Sequence, residues 1–325
     1  MFTAYALVKN LDSRVDELHF QNFIIRKLRA GYRDELEHAR SLFPYSRVSF
    51  GDWVYEKSYE KPPQVLNSEQ DVGLGRIPIE TEDALLLFRL FSIGDICFTA
   101  QTIRQPDGGL NFQYPYWAMS DIHTILPYRM EQDVCPKWDE FAAEIPTYEG
   151  WNSIWFKTAR SFFLSGGAKE FNVYWDRLER IVDYMVALEA TLSTETDYLR
   201  RRLSERAIKL LGLTETNRDE KLRLLKKFYD FRSSIAHGSQ VSEKNKDFIK
   251  SNRDEFESIV RSILVEAIRS LPSDESQRKS QLSQLFDISD EDRCEKISTD
   301  FFRISDTRAR YKLLILLIER SMLNH

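Results

Sequence analysis

A change of hydrophobic period near residue 150 is the feature that most constrains how this chain of 325 residues can fold. Before that point, apolar residues come in short runs of strand length, punctuated by Gly, Pro and aromatic residues. After it they recur every three or four residues, the spacing of a helix face. The expected fold class is therefore α+β and multidomain. A β-rich domain is expected over 1–150, an all-α helical bundle over 151–272, and a helical C-terminal extension over 273–325.

In the first half, Phe2 to Val8 and His19 to Ile25 have strand length, and Arg47 to Glu56 is rich in residues that suit a pleated surface. Gln105-Pro-Asp-Gly-Gly109 is a turn signal between Ile96–Ile103 and Leu110–Trp117, which predicts a hairpin. Ala84 to Phe91 fits a helix or a buried strand, and its periodicity does not choose between them. Lys61-Pro-Pro63 to Gly73-Leu-Gly75 reads as a long loop, without the strand–turn–helix context of a phosphate cradle. No chemistry stands out in this half, so recognition of a regulatory protein or trigger is its expected role.

The second half predicts a bundle. Tyr174, Leu178, Ile181, Met185, Leu188 and Leu192 form one stripe, broken at Ser193 and Thr194. Tyr198 or Leu199, Leu203, Ala207, Leu210 and Leu211 form a second, ended by Gly212. A third helix is expected over about Asn217 to Ala236, with Leu222, Leu225, Phe228 and Ile235 facing inward. A fourth, about Asn252 to Leu271, carries Phe256, Ile259, Val260, Ile263, Ala267 and Ile268 and stops at Pro272. Short loops between the first three imply antiparallel neighbours. The polar Ser273–Ser280 stretch leads to an amphipathic Thr307–Met322, which could pack back or mediate dimerisation.

Composition narrows the setting. Apolar residues at 42% and charged residues at 30% fit a globular protein with ample core. Cys97, Cys135 and Cys294 lack CxxC spacing and are expected to be reduced thiols, with neither a disulfide framework nor a zinc site. The first ten residues turn polar too soon for a signal peptide. The longest apolar run, Leu313 to Ile318, is far below the ~20 residues that span a bilayer. A cytoplasmic protein with no membrane partner is expected. A net charge of −5 argues against coating nucleic acid through overall positive charge. Yet Tyr198 to Arg232 holds eleven Lys/Arg against five Asp/Glu. That run is either a local RNA-binding face or a solvated helix surface with internal ion pairs.

The basic run leads into Phe228-Tyr-Asp-Phe-Arg-Ser-Ser-Ile-Ala-His-Gly238. Gly238 is a helix stop, because glycine takes left-handed dihedrals without strain. His237 then sits in the last turn, where the helix end favours protonated imidazole. Arg232 lies five residues earlier. This spacing alone decides nothing, since Arg14/His19, Arg33/His38 and Arg320/His325 share it and only His123 does not. Cation and imidazole at a helix end could handle a phosphodiester, or could simply cap carbonyls and pair with carboxylates.

Three segments together resemble the ApeA-like branch of the HEPN superfamily over about residues 170–270. They are Val182-Asp-Tyr-Met-Val-Ala-Leu-Glu-Ala-Thr-Leu192, Leu203-Ser-Glu-Arg-Ala-Ile-Lys-Leu-Leu211 and Tyr229-Asp-Phe-Arg-Ser-Ser-Ile-Ala-His-Gly238. The resemblance implies a helical bundle that homodimerises, with the Arg-x4-His ends of two protomers in one cleft. It implies a metal-independent endoribonuclease, without cofactor, of the kind found in toxin, abortive-infection and phage-defence systems. Arg232 and His237 would be the catalytic pair. Glu189 would support the site by pairing with Arg206 or Arg232, and Ser233 occupies a position where other branches carry Asn, Asp or His. The alternative it leaves is a non-catalytic module that binds RNA, a nucleotide or a protein partner.

The chemistry is coherent. RNA carries its own nucleophile, the 2′-hydroxyl, so a base and a cation suffice for cleavage. His237 would act as general base or acid, and Arg232 offers a planar, permanently charged fork for the phosphate oxygens. Five residues of helix turn through about 500°, leaving the two side chains about 140° apart. Relaxation of the helix end, or completion of the site by a partner chain, would remove that difficulty. The sequence holds no His/Asp/Glu cluster at ligand spacing, which disfavours a metal-dependent hydrolase.

Overall fold

The computed structural model describes residues 1–44, 48–61, 79–94, 96–113, 127–145, 153–169, 178–194, 199–213 and 215–285. Gly73-Leu-Gly75, His123, Tyr174, Tyr198, Cys294, Thr307–Met322 and Arg320/His325 lie outside these, as does most of the extension expected over 273–325.

The mixed α and β architecture is present. Among the described residues eight strands form two sheets: β1 (Phe2–Lys9), β2 (Leu11–Asp12), β3 (Glu17–His19), β4 (Ile24–Lys27), β5 (Trp53–Tyr59), β6 (Cys97–Arg104), β7 (Leu110–Gln113) and β8 (Tyr128–Arg129). Six of them build one sheet in the order β3-β4-β5-β1-β6-β7, with antiparallel neighbours. The short β2 and β8 pair in parallel. β1 is central because Thr3 to Val8 is almost wholly buried and bonds on both edges, to β5 and β6. The hairpin at Gln105–Gly109 forms as its turn chemistry dictates, with Gln105 N donating to Gly109 O at 2.7 Å. His19 to Ile25 is two strands rather than one. A tight turn at Gln21–Asn22 separates β3 from β4, closed by Phe20 N to Phe23 O at 3.0 Å.

Each face of the large sheet buries a different core. On one, Tyr5, Leu7, Val54 and Ala100 pack beneath the helix α1 (Arg33–Leu42) through Leu36, Ala39 and Leu42. On the other, Tyr55 and Phe98 join a ring cluster with Phe20, Phe23, Phe88 and Trp138. Phe88 comes from α2 (Ile79–Phe91) and Trp138 from α3 (Cys135–Glu144). The Ala84 to Phe91 stretch is thus helical. Cys97 and Cys135 are buried free thiols.

The helical half continues with α4 (Ile154–Lys169), α5 (Glu179–Leu192), α6 (Leu199–Leu210), α7 (Glu215–Ala236), α8 (Glu243–Ser270) and α9 (Glu275–Leu285). The stripes of α5 and α8 are buried as their spacing predicts. On α7 the buried side is Leu224, Leu225, Phe228 and Phe231, and Phe228 stacks on Phe256 of α8 with centroids 3.9 Å apart. Leu222 and Ile235 are only half buried. α8 starts at Glu243, about two and a half turns before the expected Asn252, where Ser242 caps it by accepting from Asn245 N. The polar stretch Ser273–Ser280 is mostly helix: Asp274 accepts from Gln277 N at 2.9 Å and starts α9.

Met1–Leu282 forms one compact unit, and Ser283–His325 a second. Within the first unit the sheet and the helices are joined through α2. Its Arg89 donates to Ile96 O and, across to α4, to Leu164 O at 2.8 Å. Its Asp83 accepts from Arg160 of α4 at 3.1 Å. Both links are buried, where removing one partner would strand a charge or a carbonyl.

Candidate functional site

Helix α7 brings the expected site residues to its C-terminal end, and Gly238 sets how it stops. Gly238 has φ +69°. Ser239 N reaches back to Ser234 O at 2.9 Å, and Gly238 N to Ile235 O at 2.9 Å. This is a Schellman motif with glycine at the left-handed position. His237 is the residue before that glycine. Its N–H still donates to Ser233 O at 3.1 Å, and its side chain is exposed with no partner among the described residues.

Arg232 points elsewhere. Its Nη2 donates to Glu189 Oε2 of α5 at 2.8 Å, and the pair is largely buried, at 25% and 16% side-chain exposure. Of the two partners that the sequence allowed Glu189, it takes Arg232. The contact is single rather than forked: Glu189 Oε1 and Arg232 Nε are buried without a hydrogen-bond partner among the described residues. Burial pushes the Glu189 carboxyl above its usual value, and the pull of Arg232 in the other direction does not cancel it. The neighbouring Tyr229 phenol is raised too, by burial and then by the Glu189 charge. Ser233 is half buried on the same turn, and its carbonyl accepts from His237.

Arg206 has a different job. It is 1% exposed, and its guanidinium donates to Leu192 O at 2.7 Å and Leu282 O at 2.9 Å. It ties the end of α5, the middle of α6 and α9 together by satisfying carbonyls that helix ends leave open. Because α7 stays hydrogen bonded through Ala236, Arg232 and His237 of one chain remain about 140° apart around the axis.

Part of the basic run is held by its own surroundings. Arg200 pairs with Asp230 at 2.7 Å, Arg218 with Glu205 at 3.1 Å and Lys221 with Glu255 at 3.7 Å. With Arg232 paired and Arg206 buried, five of the eleven cations are committed within the fold. Lys209, Arg223 and Lys226 have no carboxylate partner among the described residues and remain as scattered surface charge.

The other Arg-x4-His pairs within the described residues differ from this one. His19 contacts Glu17 at 3.1 Å on an exposed strand, and Arg33/His38 lie on α1. Among the described residues no group of His, Cys, Asp and Glu is placed to hold a metal ion, and no helix is long and apolar enough to cross a membrane. In comparisons with protein-family models, curated proteins and solved structures, nothing matches this chain.

Proposed function

We propose that the chain is a metal-independent endoribonuclease of the HEPN type, in which Arg232 and His237 cleave RNA by activating its own 2′-hydroxyl. The observation that carries this reading is the end of α7. An imidazole with no partner among the described residues stands on a capped helix terminus, and the arginine one and a half turns earlier is fixed by Glu189. In this reading His237 removes the 2′-hydroxyl proton and later protonates the leaving 5′-oxygen. Arg232 meets the non-bridging oxygens with the donors that Glu189 leaves unused. In this reading the protein is a homodimer, and each cleft takes Arg232 from one chain and His237 from its partner, an arrangement that the 140° offset within one helix supports. A cytoplasmic role in growth arrest or phage defence rests on the resemblance alone.

Purified protein incubated with total RNA in EDTA, beside His237→Ala, tests this. Cleavage by the wild type only, leaving 2′,3′-cyclic phosphate ends, is expected. Equal cleavage by the variant would rule His237 out as the catalytic group. A second reading is supported by one observation: Arg232 is already neutralised by a carboxylate, as in a scaffold that binds RNA, a nucleotide or a protein without cutting. That reading predicts intact RNA in both samples, with His237→Ala changing affinity or nothing.

A further inference from the structure

A cavity of about 280 Å³ lies between α1 and the large sheet, far along the chain from the end of α7. It runs beside α1, whose Asp34, Glu35, His38, Ala39 and Leu42 line it from the first turn to the last. The sheet face that carries Leu7 beneath this helix also carries Tyr5, opposite Glu56 of β5 and Thr102 of β6. Residues directly opposite in antiparallel strands share a face. Thr3 and Arg104 are therefore on it too, as are Arg26 and Val54.

The floor is apolar, from Leu28, Ala39, Leu42, Val54 and the ring of Tyr5. Arg26, Lys27, Asp34 and Glu35 line the cavity as well, and Glu56 and Arg104 lie beside it on the same sheet face. Arg26 donates to Glu56 at 2.9 Å, while Arg104 sits 5.7 Å from the Tyr5 ring centre with no carboxylate partner among the described residues. His38 overhangs from α1, and its neighbours report the local sign. Burial, then Arg104 and Arg26, push its imidazole below the ordinary value, against a weaker opposite pull from Glu56. At the other end of α1, Glu35 is occupied by Arg29. An apolar floor beside a guanidinium, Arg104, that pairs with no carboxylate among the described residues matches a ligand that is apolar at one end and carries a single negative group at the other.

We propose that this cavity binds a small organic anion, a carboxylate or phosphate monoester on an apolar body, with the anionic group against Arg104 and the body against Tyr5, Leu42 and Val54. This gives the first half of the chain a ligand of its own, and the proposal stands whether or not the α7 site cleaves RNA. The anionic group would gain a charge-assisted hydrogen bond from Arg104 in a partly desolvated setting. The apolar body would cover the apolar floor of the cavity.

Anilinonaphthalene sulfonate, a fluorescent aromatic monoanion, is a suitable probe for the full chain. The expected result is saturable binding of one dye per chain, displaced by octanoate or by phenyl phosphate. Displacement by the first alone identifies a carboxylate site, and by the second alone a phosphate site. Arg104→Glu should weaken dye binding at least ~tenfold, as loss of a charge-assisted contact does. Arg104→Gln provides the milder variant should the charge reversal disturb the fold. Arg40→Gln, which changes a cation paired with Glu37 on the exposed side of α1, should leave binding unchanged. Absence of saturable binding, failure of both competitors, or equal affinity in the Arg104 variants would overturn the proposal.

Discussion

The sheet beside α1 and the α5–α7 region of the bundle leave cations in different settings. In the bundle, five of the eleven Lys and Arg in one run are held by neighbours, Arg200, Arg218, Lys221 and Arg232 by carboxylates and Arg206 by carbonyls, and Lys209, Arg223 and Lys226 stay scattered on the surface. At the sheet, where the sequence shows no charge run, Arg26 pairs with Glu56, while Arg104, seventy-eight residues further along the chain, pairs with no carboxylate among the described residues and lies beside a cavity. Local charge along a sequence therefore says little about local potential. Tertiary pairing decides where charge remains for a ligand.

The contrast makes Arg206 the most sensitive point in the bundle. If it is a structural cation, Arg206→Met should lower stability by about 3 kcal/mol, since two buried carbonyls lose their donor. Urea unfolding measures this, and a loss below ~1 kcal/mol would break the distinction between Arg206 and Arg232. Gly238→Ala should cost about 1 kcal/mol by forcing a Cβ into left-handed backbone at φ +69°. A thermal melt of the variant checks that effect.

Glu189→Gln sharpens the comparison from the other side. Because burial holds the Glu189 carboxyl above its ordinary 4.5, its contribution to stability is greatest below that pH and declines as pH rises through the folded value. The amide resembles the protonated acid. The change should therefore shift stability at neutral pH by less than about 1 kcal/mol and flatten the profile above pH 4.5. Unfolding curves at several pH values would show it. A large loss at neutral pH would mean that the ion pair outweighs its burial.

How much of this was readable from the sequence depended on whether the cause was local. The end of α7 was legible because Gly238 acts through its own dihedrals, and the β6–β7 hairpin because Pro106, Asp107 and the two glycines define a turn. α9 was not, because Ser273–Ser280 is polar throughout and becomes helical through the Asp274 cap and burial of Arg278 against Ala190 O and Thr191 O. Gly166 and Gly167 lie inside α4. They are there because Tyr184 and Arg89 pass so close that a Cβ on Gly167 would lie 2.4 Å from the Arg89 guanidinium. The pairing of Glu189 with Arg232 was one of two options from the sequence, and packing chose it by burying Arg206. The cavity under α1 left no trace, since its lining comes from separated strands and a helix that no single window contains.

The most direct test of the proposed two-chain site is a mixing experiment. Arg232→Ala and His237→Ala proteins are prepared separately, then mixed under conditions that exchange subunits, and RNA cleavage is followed in EDTA. Each alone should be inactive. In a mixed dimer, one cleft takes Arg232 from the His237→Ala chain and His237 from the Arg232→Ala chain, so cleavage should return. If the wild type cleaves and the exchanged mixture stays silent, Arg232 and His237 must act within one chain, and the assignment drawn from the regular helix α7 is wrong.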